Sequence, residues 1–512
     1  MNVGDVVYYA KTKGSVKPLG TANNFKKLKP KIALLWGDPL YVTRVDGADL
    51  EVSAKGHMLR LPQGDVMTTP VLALYQIDCG QGDSALLHTP DNRWIMIDGG
   101  PSPAMANSPA LGVSFLWWKV FVDQSWRQQF AVPGPFKLDA LVATHPDEDH
   151  FGGFPEVIDR VKPGEFEIGT IYHGGMGRFN GTTVAYNGTQ GFGQLGPVEG
   201  ASLPEAGLTA LLDDESDIHQ YTKTTTKRSW KLEGNYAEFL KAAAAKVGVC
   251  IGGMRRVDHN TGPLAGFAPD SGKASVHVLG PVVENFGTKK GLRYLDGASK
   301  SAMESPSLTR NGHSVVLRVE YKGFRLLMTG DLNFKSHAVL LKNLPAAEFV
   351  CHVAKACHHG AEDISCTFLQ AMNPLATLFS SGDNETYTHP RAKALASSAA
   401  FGRRQSTGVK NRFLELVEDE YAAPLIYSTE LSRSVELFDV YSVLDGEGRK
   451  VPKAQIVSEK RSYGGKRVPG TAQSAYLWLL ADKLVYGLIN VRTNGHRVVI
   501  AVLKEDDASF QV

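Results

Sequence analysis

The sequence has few cysteines, no long apolar run, no repeats and no excess of charge of either sign, and each lack closes off a class of protein. Five cysteines stand among 512 residues, Cys79, Cys250, Cys351, Cys357 and Cys366, an odd number without CxxC spacing. Such a set does not make a disulfide framework and fits reduced thiols in a cytosolic protein. No apolar stretch approaches the ~20 residues of a membrane span. The first residues, Met1-Asn2-Val3-Gly4-Asp5, lack the basic-then-apolar form of a signal peptide. The expectation is a soluble, cytoplasmic chain with no membrane association. Lys and Arg number 55 against 53 Asp and Glu, and the formal net charge of +2 identifies no class of partner. A hydrophobic content of 43% with 21% charged residues is that of a folded globular protein. The length suggests two or three domains.

What is present is concentrated at one point, Thr144-His145-Pro146-Asp147-Glu148-Asp149-His150. Two histidines and three carboxylates follow directly on Leu138 to Thr144, a run with the apolar, β-rich character of a buried strand. Hard and borderline donors crowded at a strand end have the composition of a metal site. A solvated acidic turn is the alternative, and it weakens with each further polar strand end.

Residues 1–70 read as short strands separated by Gly, Asp, Pro and Lys, the pattern of a small, SH3-like β-barrel that offers a surface for a protein partner. Ten basic residues against six acidic ones make this unit mildly basic. From Val71 to Ile77 an apolar strand leads into Asp78-Cys79-Gly80-Gln81-Gly82-Asp83-Ser84, and the strand Trp94 to Ile97 closes on Asp98-Gly99-Gly100, which is either a plain turn or part of a site. Residues 111–130 predict a helix. Residues 155–310 form an irregular insertion with basic clusters, at Lys223 to Lys231, Arg255 and Arg256, and Lys289 to Arg293; solvated surface accounts for these as well as phosphate binding does. Ser314 to Tyr321 and Phe324 to Met328 make a hairpin ending on Thr329-Gly330-Asp331, Phe349 to Lys355 ends on Cys357-His358-His359-Gly360, and Leu375 to Ser380 leads to Tyr387-Thr388-His389-Pro390. In layered α/β folds, strand-end loops are where sites are built. Further basic residues lie at 403–412 and 449–467, and residues 441–512 read as a β-rich extension with an Asn494-Gly495 hairpin turn.

This series of motifs, in this order, resembles the metallo-β-lactamase-fold hydrolases, and within them the branch related to the lactamase-like domain of ComEC/Rec2 DNA-uptake proteins, without the membrane-channel part. The resemblance covers about residues 71–440, less the insertion. It implies an αββα sandwich and a centre of two divalent metal ions. His145 and Asp147 are then expected on one ion, with Asp149 and His150 on the other. Asp331 is expected to bridge them, and His358 or His359, with His359 preferred, to complete the second. Asp98 is expected to orient a ligand, with Asp83 and Ser314 supporting the centre. Asn311 and His389 are expected beside the substrate, where, with Asp149, they make up the catalytic set; His389 is placed to donate to a phosphate oxygen or protonate the leaving group. Lactamase- and thioesterase-type relatives carry His where Asp147 stands and a further histidine ligand where Asn311-Gly312-His313-Ser314 falls. On strand alternation His313 points away. Oxygen ligands harden the centre, so Mn2+ rivals Zn2+.

Two such ions acidify a shared water and stabilise charge on the attacked group, so no serine or cysteine nucleophile is required. The reading that follows is a phosphodiesterase or nuclease acting on nucleic acid or a nucleotide. A thioester, lactone or lactam hydrolase is the enzymatic alternative, against which Asp147 and Asn311 count. A non-catalytic metal-binding interaction module is the other, against which the filled ligand positions count.

Overall fold

In the computed structural model, the described residues are 1–21, 31–102, 111–129, 132–181, 194–200, 205–222, 230–297, 299, 305–382, 387, 389–403, 424–429, 443–444, 450–451, 458–461, 467–470, 488–503 and 510–511. Two large mixed sheets face each other. In the first, the strands run in the order Met254–Arg256, Phe166–His173, Phe136–Ala143, Trp94–Gly99, Ser84–His88, Leu72–Gln76, Ile489–Thr493, Val498–Leu503 and Phe510–Gln511. In the second the order is Gly262–Pro263, Ser275–Gly280, Val316–Tyr321, Phe324–Met328, Val353–Lys355, Ala376–Phe379 and Leu425–Ser428.

Alternation along each strand decides which side chains meet between the sheets. Leu72 and Leu74 of the first sheet pack against Leu317, Val319 and Leu326 of the second, in one buried cluster. The intervening Ala73 and Tyr75 point outward into a second cluster with the helices Leu111–Gln129, Phe154–Arg160 and Asn235–Ala244. Val316 and Leu327 point outward from the other sheet towards Phe334–Asn343 and Cys366–Met372. A period of two on strands buried on both faces thus yields a helix–sheet–sheet–helix sandwich. Fully burying one such Leu or Val is worth about 1.5–3 kcal/mol.

The stretch expected as an insertion contributes Phe166–His173 and Met254–Arg256 to the first sheet, both parallel to their neighbours. The C-terminal hairpin also joins it: Ile489–Thr493 pairs antiparallel with Leu72–Gln76, Thr493 standing opposite Leu72. Its turn at Asn494-Gly495 is held by Asn494, whose side chain accepts from the amides of His496 and Arg497. No helix among the described residues is long and apolar enough to cross a membrane.

Six strands within the first 67 residues form a curled antiparallel sheet, ordered Gly20–Thr21, His57–Pro62, Asp49–Ala54, Pro39–Asp46, Val6–Tyr9 and Val66–Met67. It has its own core of Val7, Leu40, Val42, Leu50, Val52 and Leu59. A buried charge cluster ties it to the sandwich. Arg492, on the strand beside Leu72–Gln76, places Nη2 2.8 Å from Asp38 Oδ1 and donates through Nη1 to the Leu35 and Trp36 carbonyls, while Lys55 Nζ lies 2.6 Å from Asp38 Oδ2. Burial would raise the Asp38 carboxyl; Arg492 and Lys55 hold it well below the usual carboxylate range.

Candidate metal centre

Polar strand ends from both sheets converge at one edge of the sandwich. The loop after Phe136–Ala143 carries the heptapeptide. The loop between Leu72–Gln76 and Ser84–His88 packs under it, with the Asp83 amide donating to the Asp149 carbonyl at 3.1 Å. Gly82 permits this approach: at φ +135°, a Cβ there would lie 2.2 Å from the Asp149 carbonyl oxygen. From the second sheet, Ser380 Oγ donates to the Gly82 carbonyl at 2.8 Å and fixes the two halves together.

Asp83, His150, Asp331 and His359 are brought together here, all buried, their ligand atoms within 4.8 Å of one another. His150 Nε2 lies 3.2 Å from Asp331 Oδ2, His359 Nε2 lies 3.0 Å from the same oxygen, and the two Nε2 atoms are 3.1 Å apart. Asp149 Oδ2 is 3.4 Å from His359 Nε2. A tetrahedron on zinc–ligand bonds of about 2.0–2.1 Å has edges of roughly 3.3 Å, so three of the four donors already stand at a ligand shell's spacing. The Asp83 Oδ1 atom is buried, meets no hydrogen-bond donor and lies 3.5 Å from His359 Nδ1. By spacing and chemistry, this set fits a divalent ion.

The outer atoms of both histidines are fixed. His150 Nδ1 is 2.8 Å from Asp98 Oδ2, and Asp98 also accepts from the Thr144 amide at 2.8 Å and the Thr144 hydroxyl at 2.7 Å. His359 Nδ1 donates to the Ser380 carbonyl at 2.9 Å. Each ring therefore turns Nε2 inward, its outer nitrogen held by a carboxylate at His150 and by a carbonyl at His359, an arrangement that raises ligand basicity. Asp98, His358 and His359 all hold positive φ, +56°, +46° and +54°. For non-glycine residues this costs about 1–3 kcal/mol each, and here it sets the direction of the donors.

Burial alone would lower the His150 and His359 pKa values, but Asp331 raises both well above the ordinary range, joined by Asp98 and Asp149 at His150 and by Asp83 and Asp149 at His359. Burial would raise the Asp331 carboxyl, and His150, His359 and Lys355 hold it well below the usual range. His145 is pushed down to about 4 by burial and by His150. Its Nδ1 lies 3.1 Å from Thr144 Oγ1 and 3.3 Å from Ser314 Oγ, and its Nε2 is buried without a partner. Ser314 also accepts from the Asp331 amide at 2.9 Å and donates to the Asn311 carbonyl at 2.7 Å.

Around this cluster stand the other expected residues. Asp147 accepts from Arg310 Nε at 2.7 Å. His358 stands at the rim, its Nδ1 3.1 Å from Asp363 Oδ2 and its Nε2 accepting from Asn311 Nδ2 at 3.2 Å; the nearest oxygen of Asp331 is 3.9 Å away. His389 borders the centre, its ring 6.1 Å from that of His359, with Nδ1 3.4 Å from Gln81 Nε2. Burial and the two neighbouring histidines push it down to about 3. His313 turns away and donates to the Arg293 carbonyl at 2.7 Å.

Two cations were not read from the sequence. Lys355, 1% exposed, is ion-paired with Asp83 Oδ2 and lies 3.3 Å from Asp331 Oδ1, and it donates to the Gly330 carbonyl at 2.8 Å. A lysine closing the fully buried strand Val353–Lys355 was the available signal. Arg310, 9% exposed, is the other. Of the basic clusters, Arg256 pairs with Asp213 and Asp258, Lys289 with Glu199, and Arg293 with Glu284. Lys223, Lys227, Arg228, Arg404, Lys410, Arg412, Thr386 and Thr388 lie outside the described residues.

Residues 77–228 match the model of the metallo-beta-lactamase superfamily. Over 326 residues, 62% of this chain and 29% of the relative, the sequence is 24% identical to ComE operon protein 3 of Bacillus subtilis (strain 168). The chain thus spans under a third of that protein's length. Among solved structures it is similar to the metallo-beta-lactamase fold protein YhfI from Bacillus subtilis, at 10% identity and a TM-score of 0.31, covering 64% of this chain and 93% of that one. A diphosphatase from the PhnP family is matched at 10% identity and a TM-score of 0.25, over 60% of this chain and 86% of that one. With the heptapeptide inside the matched residues, and Asp331 and His359 brought to it across two facing sheets, the chain carries the metallo-β-lactamase fold.

Proposed function

We propose that the protein is a metal-dependent hydrolase of phosphodiesters, with a nucleic acid or a nucleotide as its substrate. The observation that carries the metal part is the buried Asp83, His150, Asp331 and His359 cluster, with both histidines held by their outer nitrogens. A Zn2+ or Mn2+ ion held by these residues would supply Lewis acidity for the activation of water and for charge on the attacked group. The choice of phosphorus over a carbonyl is supported by the rim, where Arg310 and Asn311 bring donors towards the centre on the short helix Ser307–Gly312. A guanidinium suits the oxygens of a phosphoryl group. His389, held neutral by its surroundings, offers an N–H to such an oxygen rather than a readily lost proton. Asp149 stands beside His359 as a further oxygen donor to the centre.

A cytoplasmic location is part of this reading and is supported by five unpaired cysteines, four of them buried. The N-terminal curled sheet is proposed as an SH3-like unit that receives a protein partner. Its packing on Arg492 gives it a fixed position beside the sandwich.

The test is hydrolysis of bis(p-nitrophenyl) phosphate and single-stranded DNA by protein loaded with Mn2+ or Zn2+, with nitrocefin and lactoyl-glutathione in parallel. Phosphodiester cleavage that is lost in His359→Ala and Asp149→Ala is expected. Cleavage of the thioester or lactam alone would overturn the substrate class, and equal rates in wild type and His359→Ala would overturn the metal centre.

A further inference from the structure

The two-ion arrangement expected from the sequence requires a second set of donors beside the first, built on His145 and Asp147. Only His145 is available as a donor. Its Nε2 is buried and without a partner, whereas the Asp147 carboxylate accepts from Arg310 Nε at 2.7 Å. Arg310 does not swing in from solvent: it is 9% exposed, and its Nη1 also donates to Gln194 Oε1 at 3.3 Å. Asn311, the next residue, presents its amide Nδ2 to His358 at 3.2 Å. On the other flank Lys355 holds one oxygen of Asp83 and one of Asp331, so each carboxylate keeps a single oxygen for the shared centre. A guanidinium remains charged at every accessible pH. A second divalent ion beside Asp147 would have to displace it and leave it buried without its counter-charge, which is unfavourable.

We infer that the centre takes one divalent ion, at Asp83, His150, Asp331 and His359, and that Arg310, held by Asp147, occupies the electrostatic place of a second. This inference rests on the metal-dependent reading above and deepens it: the positive charge facing the substrate anion on that side is a fixed guanidinium rather than an exchangeable metal. Arg310 is then a positioning and charge-supplying group, and Asp147 is its anchor rather than a metal ligand.

The experiment is to strip full-length protein with chelator, titrate it with Mn2+ alone, and read stoichiometry by native mass spectrometry and ion coupling by electron paramagnetic resonance. Wild type should bind one ion per chain and give the spectrum of an isolated Mn2+. Arg310→Gln removes that guanidinium from Asp147 and should admit a second ion with an exchange-coupled spectrum; Arg310→Lys, which keeps the charge, should stay at one; Arg310→Gln combined with Asp147→Asn should return to one. Two coupled ions in wild type would overturn the inference while leaving the metal-dependent hydrolase intact. A single ion in folded Arg310→Gln would overturn the part given to Arg310. No bound ion in wild type would instead sink the metal reading itself. If Arg310→Gln does not fold, as circular dichroism would show, the wild-type count and spectrum decide the number of ions.

Discussion

Asp98 never reaches the centre, yet it governs how His150 does. Its one carboxylate accepts from the Thr144 amide, the Thr144 hydroxyl and His150 Nδ1. Replacing it by asparagine keeps a residue that tolerates positive φ while removing the charge. Asp98→Asn should therefore fold and should bind Mn2+ about 10–100-fold more weakly, as isothermal titration would show; unchanged affinity would mean that His150 does not ligate. The pH dependence has a definite sign. His150 and His359 have raised pKa values without metal, so at neutral pH both carry protons that an ion must displace. Affinity should rise with pH, and titrations at pH 7 in buffers of different ionisation enthalpy should reveal proton release. For the metal-free fold the same shifts act in reverse. The histidine contribution to stability is complete below the ordinary histidine pKa of about 6.5 and is lost as pH rises through the raised folded values.

Among the elements, the strand Ile489–Thr493 joins two parts of the molecule, since it pairs with Leu72–Gln76 and sends Arg492 into the N-terminal sheet. Asp38→Ala would leave Arg492 buried without its anion and would take the ion-pair partner from the half-buried Lys55. A loss of about 3–5 kcal/mol is expected by urea denaturation, recovered in large part when Arg492→Met and Lys55→Met are added. The hairpin turn of this element was legible, because Asn494-Gly495 is a local signal. Its partner was not, because Leu72 stands more than 400 residues away in the chain. The same division runs through the molecule. The hairpin of Val316–Tyr321 and Phe324–Met328 shows its alternation and its Lys322-Gly323 turn in one short window, whereas Met254–Arg256 is too short for any period to register. In the site, the donor motifs are compact and could be read from residue type and order. Arg310 could not, because its role depends on Asp147, which is 163 positions away.

At the scale of the whole molecule the centre is a cross-link. His150, on the short helix Glu148–Phe151, and Asp83 follow strands of the first sheet, Asp331 and His359 follow strands of the second, and the inter-sheet layer of Leu72, Leu317 and Leu326 holds the two in register. An ion that binds only when the sheets face each other must stabilise the sandwich as a unit, by about 2.7 kcal/mol when free metal is 100 times its dissociation constant. The inter-sheet core contributes separately. Leu317→Ala removes a fully buried side chain and should cost about 2–5 kcal/mol, by a similar amount with or without Mn2+, because the cavity lies in the packed layer rather than at the ligands. His359→Ala should instead abolish the metal-dependent increment. Chemical denaturation of wild type, Leu317→Ala and His359→Ala, each with Mn2+ and with chelator, separates the two contributions. If chelator lowers the stability of wild type and His359→Ala equally, the ion is not bound across the two sheets and its link to the fold is lost.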